Sequence, residues 1–191
     1  MKEQKKALRH RVKKSLQTLS DIRKKELSIL VQNNIRSFLQ ENILIHENIG
    51  LYYPLEDEVD PIYDRNQSFF FPRMNSEDEM RFYAAKLTEL KEQVVFGKTF
   101  KEPQIRESEE VIKAYMVPGL AFTRKGKRLG RGKGYYDKYF ERIERSSRDI
   151  LKIGICFEEQ IFEEEEIQTE SHDIRMDFII TPLNIYEASS P

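Results

Sequence analysis

The sequence predicts an α/β fold in one domain spanning residues 1–191: a mostly parallel sheet covered by helices on both faces, in three layers, with a helical hairpin at the N-terminus. Three observations carry this reading. Several short apolar runs, among them Ile49-Gly-Leu-Tyr-Tyr53 and Leu151-Lys-Ile-Gly-Ile-Cys-Phe157, have too little polar alternation for a strand with one wet face. Helical patterns at about 22–40 and 135–145 interleave with those runs, the order that covers a sheet on both sides. The chain of 191 residues, 39% hydrophobic, is long enough to bury one real core.

Between Lys2 and Lys25 there are ten Lys and Arg against two carboxylates, Glu3 and Asp21, while Leu8, Val12, Leu16 and Leu19 recur at three- and four-residue spacing. That is a basic amphipathic helix. A second helical pattern runs from about Asp21 to Gln40, with Ile22, Leu30, Ile35, Phe38 and Leu39 as its apolar stripe, and the two suggest the hairpin. Then the period changes. The runs at 49–53 and 68–71 stop at Pro54 and Pro72 and read as strands, as do 80–84, 115–117, 151–157 and 178–181. Residues 75–79 and the glutamates from Glu163 to Glu166 read as polar punctuation, the glutamates as a solvated face.

Composition excludes several classes. A formal net charge of -1 weighs against a dedicated nucleic-acid binder, which needs a surplus of Lys and Arg to neutralise phosphates. Any anion site must therefore be local. One cysteine, Cys156, cannot build a disulfide framework, and its apolar neighbours Ile155 and Phe157 mark it as a small core residue of a protein in a reducing compartment. No run approaches the roughly 18 apolar residues of a membrane span, and the N-terminal pattern lacks a signal-peptide apolar run. The expected location is cytoplasmic, with no membrane, nucleic-acid or obligate protein partner.

The local exception to this even charge is the segment from Gly126 to Asp137. Gly126, Gly130, Gly132 and Gly134, four of the eight glycines, fall there among Lys125, Lys127, Arg128, Arg131 and Lys133. Glycine lets backbone N–H groups approach a ligand, and Arg and Lys supply positive donors, so phosphate suits both features. The segment runs into the helical pattern starting at Tyr135, and a helix N-terminus also attracts anions. It is neither a Walker A loop nor a dinucleotide fingerprint, since neither spacing is present. Asp137, just after the loop, could hold Mg²⁺ against bound phosphates. The run Val117-Pro-Gly-Leu-Ala-Phe122 puts a strand and turn before it, and α/β proteins place ligands at the carboxyl ends of strands.

These residues, Val117-Pro-Gly-Leu-Ala-Phe122 followed by Arg128-Leu-Gly-Arg-Gly-Lys-Gly-Tyr-Tyr-Asp137, resemble the signature of the 5-formyltetrahydrofolate cyclo-ligase family, also called methenyltetrahydrofolate synthetases. Weaker matches extend in order over nearly the whole chain: Lys5-Lys-Ala-Leu-Arg9, Tyr52-Tyr-Pro-Leu-Glu-Asp-Glu-Val-Asp60, Phe71-Pro72, Glu102-Pro103 and Ser171-His-Asp-Ile-Arg-Met-Asp177. The resemblance implies ATP- and Mg²⁺-dependent cyclisation of a small-molecule substrate, 5-formyltetrahydrofolate, to 5,10-methenyltetrahydrofolate, by phosphorylation of the formyl oxygen and attack by N10.

Carried over by position, the resemblance puts Lys5 and Arg9 on the ATP phosphates, one helical turn apart on one face. It makes the stretch Arg128, Leu129, Gly130, Arg131, Gly132, Lys133, Gly134, Tyr135 and Tyr136 the ATP loop, with Arg131 and Lys133 the catalytic cations. Tyr53 and Glu58 would hold the folate, the tyrosine by packing on the ring and the carboxylate by accepting pterin N–H donors, with Glu56 and Asp57 as alternative acidic partners. Asp137 and the distant Asp173 would hold Mg²⁺, His172 being structural. Thr123 stands where the family commonly carries Asp, which would weaken a hydrogen bond or a contact behind the metal. Residues 75–112 match weakly outside Glu102-Pro103 and offer no named folate contact.

Two other readings fit the glycine loop. Another phosphate-binding α/β enzyme, such as a sugar-phosphate isomerase or an acyl-CoA transferase, would explain the glycine loop but would neither need Lys5 and Arg9 nor consume ATP. An RNA-binding module would use the basic first helix and stack bases on Tyr135, Tyr136 and Tyr139, against which stand the net charge and the seven glutamates between Glu158 and Glu170.

Overall fold

The computed structural model describes residues 2–74, 79–95, 98–104, 111–144, 150–170 and 173–188. The expected acidic punctuation at 75–78, and Ser171 and His172, lie outside them.

Helix α1, Lys2–Leu16, buries Leu8, Val12 and Leu16, which at four-residue spacing share one stripe. The helix ends before Ser20, whose hydroxyl accepts from the Arg23 N–H and caps α2, Asp21–Glu41. The stripe α2 buries is Leu27, Val31, Ile35, Phe38 and Leu39. Ile22 and Leu30, expected on that stripe, are 72% and 43% exposed, because at 100° per residue both fall well round the helix from Val31 and Ile35.

The main sheet has seven strands: β1 Ile49–Gly50, β2 Phe69–Met74, β3 Met80–Ala85, β6 Ala114–Pro118, β9 Leu151–Ile155, β11 Phe178–Ile180 and β12 Ile185–Glu187, in the order β12-β11-β9-β6-β1-β2-β3. The five inner strands run parallel, and an antiparallel strand closes each edge. Alternating side chains serve two cores. Phe69, Phe71, Met116, Ile153 and Ile155 pack with α1 and α2 on one face. Phe70, Tyr115, Val117 and Ile179 pack on the other with Tyr139 and Phe140 of α3, Tyr135–Glu144. This is the expected three-layer arrangement, and it explains why the strands read as apolar on both faces.

β1 is shorter than the expected 49–53. After Leu51, whose N–H still bonds Phe70 O at 2.8 Å, the chain leaves the sheet toward Pro54. Two further elements complete the fold: the mostly polar hairpin β4, Leu90–Val95, with β5, Lys98–Pro103, which had no strand signature, and a small sheet of β7, Ala121–Thr123, at the end of the apolar run 117–122, with β8, Arg128–Leu129, and β10, Ile161–Phe162.

Strand order matters for function. β1 leads to β2 on one side, and the chain then returns to place β6 on the other side of β1. The carboxyl ends of β1 and β6 therefore flank a reversal of strand order, where open α/β sheets form their ligand crevice.

Packing is tight at Gly154 in β9, where a Cβ would lie 2.6 Å from the Phe122 ring and 2.7 Å from Ile179 of the neighbouring β11. Gly154→Ala should lower stability by about 1–3 kcal/mol through overpacking, read as a reduced urea midpoint with unchanged slope.

Candidate active site

The segments that follow β1 and β6 build the site. Residues 55–58 form a turn in which Glu58 N–H donates to Leu55 O and Leu55 N–H donates to the Glu58 carboxylate, both at 3.0 Å. This turn aims Glu58 inward while Glu56 stays exposed, which separates the acidic alternatives left open by the sequence. After β6, β7 and β8 are joined by a turn at 123–127 that Gly126 closes with φ 85°. Gly132 and Gly134, with φ 101° and 70°, then reverse the chain into α3, whose Lys138 N–H donates to Gly134 O at 2.9 Å.

Thr123 is part of this scaffold. Fully buried, its hydroxyl accepts the Lys127 N–H at 3.1 Å and bonds Glu164, and it lines neither cavity of the site. Glu164 also accepts the Lys125 N–H at 3.2 Å and faces the Lys127 ammonium at 3.5 Å. The glutamate run is therefore no simple solvated face: Glu164 clamps the turn entering the glycine loop, and Glu166 pairs with Arg11 of α1. The charges were placed for neighbours that only folding supplies.

Two cavities adjoin at the loop and share Arg128, Gly130, Gly134 and Asp137 as wall. The first, about 420 Å³, has Met74, Met80, Phe100, Tyr52, Tyr53 and Tyr136 as apolar lining, and holds Glu58, Arg131, Lys133 and Tyr135. The second, about 680 Å³, is ringed by cations, Lys2, Lys5, Lys6, Arg9, Arg128 and Lys138, and also holds Leu129, Gly132 and Asp173. The residues expected to hold ATP, folate or metal all lie on one wall or the other, while Thr123 and the alternative carboxylates Glu56 and Asp57 lie on neither, and one refinement is needed. Leu129 buries its side chain in the core, and its carbonyl accepts the Leu120 N–H at 2.8 Å, so its place in the loop is structural.

The contacts between these residues are specific. Lys5 Nζ donates to Asp173 Oδ2 at 2.7 Å, joining α1 to the far end of the chain. Arg9 Nε donates to Gly130 O at 2.9 Å, and its guanidinium lies against Gly132. Arg128 is buried, donates from Nε to Pro118 O at 2.9 Å, faces Asp137 at 3.3 Å and lies over the Tyr136 ring at 5.2 Å. Burial pulls its pKa down, opposed first by Asp137. Arg131 donates from Nε to Glu58 Oε1 at 2.9 Å and grips Asp57 with both terminal nitrogens, at 3.1 and 2.6 Å. The expected catalytic cation and the expected folate carboxylate are thus bonded to each other. Burial pushes Glu58 above the usual carboxylate range, while Arg131 and the Leu55 N–H draw it down.

A divalent cation is compatible with this donor set. Asp137 and Asp173 line one cavity, and Mg²⁺ typically takes one or two carboxylates and completes its shell with phosphate oxygens and water. Among the described residues no cluster of three or more His, Cys, Asp or Glu is placed to hold a metal without such help. Base stacking has less support: Tyr139 is buried, its hydroxyl 2.9 Å from that of Tyr115, and Tyr136 packs on Phe140.

The sequence reading missed part of both walls. Lys2 and Lys6 share the helical face of Lys5 and Arg9, so spacing alone would have found them. Phe100, Lys101 and Glu102 reach the first cavity from the polar β4–β5 hairpin, and Arg73 and Met74 from β2. No local pattern marks the hairpin residues.

The mainly apolar cavity and the cation-ringed one meet at the strand-order reversal of an α/β sheet, the place where enzymes of this class bind their ligands. The 5-formyltetrahydrofolate cyclo-ligase family matches residues 1–182, and the chain belongs to that family, ligases of folate one-carbon metabolism. It is 28% identical over 193 residues to the Mus musculus 5-formyltetrahydrofolate cyclo-ligase, covering 92% of each chain. With a probable cyclo-ligase of Schizosaccharomyces pombe it shares 32% identity over 136 residues, 65% of this chain and 66% of the relative, just under two thirds of that protein's length. The Aquifex aeolicus 5,10-methenyltetrahydrofolate synthetase structure superposes with a TM-score of 0.77 at 28% identity, over 98% of this chain and 94% of that one. A relative from Arabidopsis thaliana is a mitochondrial form. No helix among the described residues is long and apolar enough to cross a membrane.

Glu164 provides a pH test of the scaffold. Burial alone would raise its pKa, but the bonds from Thr123, Lys125 and Lys127 hold it below the usual range. A depressed folded pKa stabilises the fold above the unfolded value, and that stability is lost as pH falls through the folded pKa. Glu164→Gln should therefore melt below the wild type at pH 7, and the gap should close in acid below the ordinary carboxylate range, measured by thermal unfolding across pH.

Proposed function

We propose that this chain catalyses the ATP- and Mg²⁺-dependent, irreversible cyclisation of 5-formyltetrahydrofolate to 5,10-methenyltetrahydrofolate, with release of ADP and phosphate. The observation that supports it most is the wall the two cavities share: a folate in the apolar cavity and a triphosphate in the cationic one would meet across Gly130 and Gly134.

In this reading Glu58 accepts N–H donors of the pterin and Tyr53 packs on its ring, within a mainly apolar cavity. Lys5, Arg9 and Arg128, with the backbone of the loop from Gly130 to Tyr136, take the ATP phosphates. Asp137 and Asp173 would hold Mg²⁺, which when bound offsets phosphate charge. The formyl oxygen attacks the γ-phosphorus and ADP leaves, turning a poor leaving group into a good one. N10 then attacks the formyl carbon, the carbon–oxygen bond breaks, phosphate departs and the N10 proton is lost. Arg131 and Lys133 stabilise the charge on the phosphoryl group as it moves. The protein would act in the cytoplasm as one domain, needing no protein or nucleic-acid partner.

The test is absorbance of the methenyl product on adding 5-formyltetrahydrofolate, ATP and Mg²⁺, with ADP formed in equal amount. Absence of product would sink the reading. Lys133→Ala and Asp137→Asn should each lower kcat by roughly 10²–10³; the melting temperature should stay near wild type for Lys133→Ala and fall for Asp137→Asn, which leaves the buried Arg128 without its carboxylate. Near-normal turnover in both would remove these residues from the mechanism.

A further inference from the structure

Arg131 is held by two carboxylates that differ in what they face. Glu58 lines the apolar cavity, its side chain 8% exposed, and meets the guanidinium through Nε and Nη2, both 2.9 Å from its Oε1. Asp57 does not line the cavity, its side chain is 32% exposed, and it takes the guanidinium end-on with one oxygen to each terminal nitrogen. The turn at 55–58 keeps the two carboxylates adjacent.

We infer that Asp57 is the positioning residue of Arg131, anchoring its guanidinium in the loop between the two cavities while the Glu58 side of the same guanidinium is exchanged for substrate. A molecule with N–H donors entering the apolar cavity competes for Glu58 and leaves Asp57 untouched. As Glu58 turns to those donors, the Nε and Nη2 edge of Arg131 becomes available to a phosphoryl oxygen. The end-on fork to Asp57 fixes the guanidinium plane throughout, because two parallel bonds to one carboxylate remove the rotation that a single bond would leave. Without substrate the same arrangement keeps Arg131 engaged, so nucleotide alone meets a site whose cation is already satisfied. This inference rests on the roles proposed above for Glu58 and Arg131.

Asp57→Asn keeps the shape but replaces one acceptor oxygen with a donor that faces a guanidinium N–H. It should lower kcat about 100-fold, the cost of a misplaced catalytic group, while KM for 5-formyltetrahydrofolate stays within about threefold and the melting temperature holds. Asp57→Glu, which keeps the carboxylate, should recover at least about tenfold of that kcat. Asp57→Ala, a truncation at a partly exposed position, is expected to show the same split and replaces the asparagine variant should that one not fold. Wild-type kcat in the asparagine or alanine variant would overturn the role of Asp57, as would a lowered melting temperature with no recovery by glutamate. A wild-type enzyme that forms no methenyl product would instead overturn the reading of the site beneath it.

Discussion

The site is organised around one buried charge. Arg128 sits beneath the glycine loop with almost no exposure, and a guanidinium taken from water is costly unless its donors are satisfied. Its partners come from three places: the Pro118 carbonyl at the end of β6, the Asp137 carboxylate in the first turn of α3, and the face of Tyr136. Gly130 passes close over the guanidinium, at a distance a side chain would crowd. Satisfying this one cation thus fixes strand, loop and helix relative to each other, and sets the wall that both cavities share.

The sheet then decides which chemistry meets at that wall. Because strand order reverses between β1 and β6, the turn carrying Asp57 and Glu58 and the loop carrying Arg128 to Lys133 project from neighbouring strand ends, although about seventy residues separate them. α1 brings Lys5 and Arg9 over the same loop from the start of the chain, and Lys5 reaches Asp173 near its end. The result is an uneven pair of cavities: mainly apolar side chains with Glu58 and Glu102 on one side, and a ring of cations with Asp137, Glu141, Glu170 and Asp173 on the other. Arg131 stands in the loop between them, where occupancy of one side can change what the other side finds.

Much of this was legible in the sequence for definite reasons. The buried strands announced themselves as apolar runs because a sheet covered on both faces needs apolar side chains on both. The glycine loop stood out because four glycines and several cations fall within a few residues, and Gly126, Gly132 and Gly134 adopt the positive φ that glycine permits. Other features left no mark. The β4–β5 hairpin is mostly polar and gives residues to the cavity only through tertiary packing, and Thr123 looked like a lost site residue when its hydroxyl belongs to a turn. The α2 stripe was displaced because Ile22 and Leu30 are apolar without being on the inward side.

The sequence by itself determined the fold class and marked the glycine- and cation-rich loop, since both depend on local periodicity or on residue types close together in the chain; Lys5, Arg9, Tyr53, Glu58 and Asp173 were reached through family resemblance. Only the tertiary structure decided how those residues are paired. That Lys5 answers Asp173, that Glu164 clamps the turn before the loop, and that Arg131 is shared between Asp57 and Glu58 are contacts across many residues, set by strand order and helix placement. Charges carry no label for their partners until the fold removes water and fixes the distances between them.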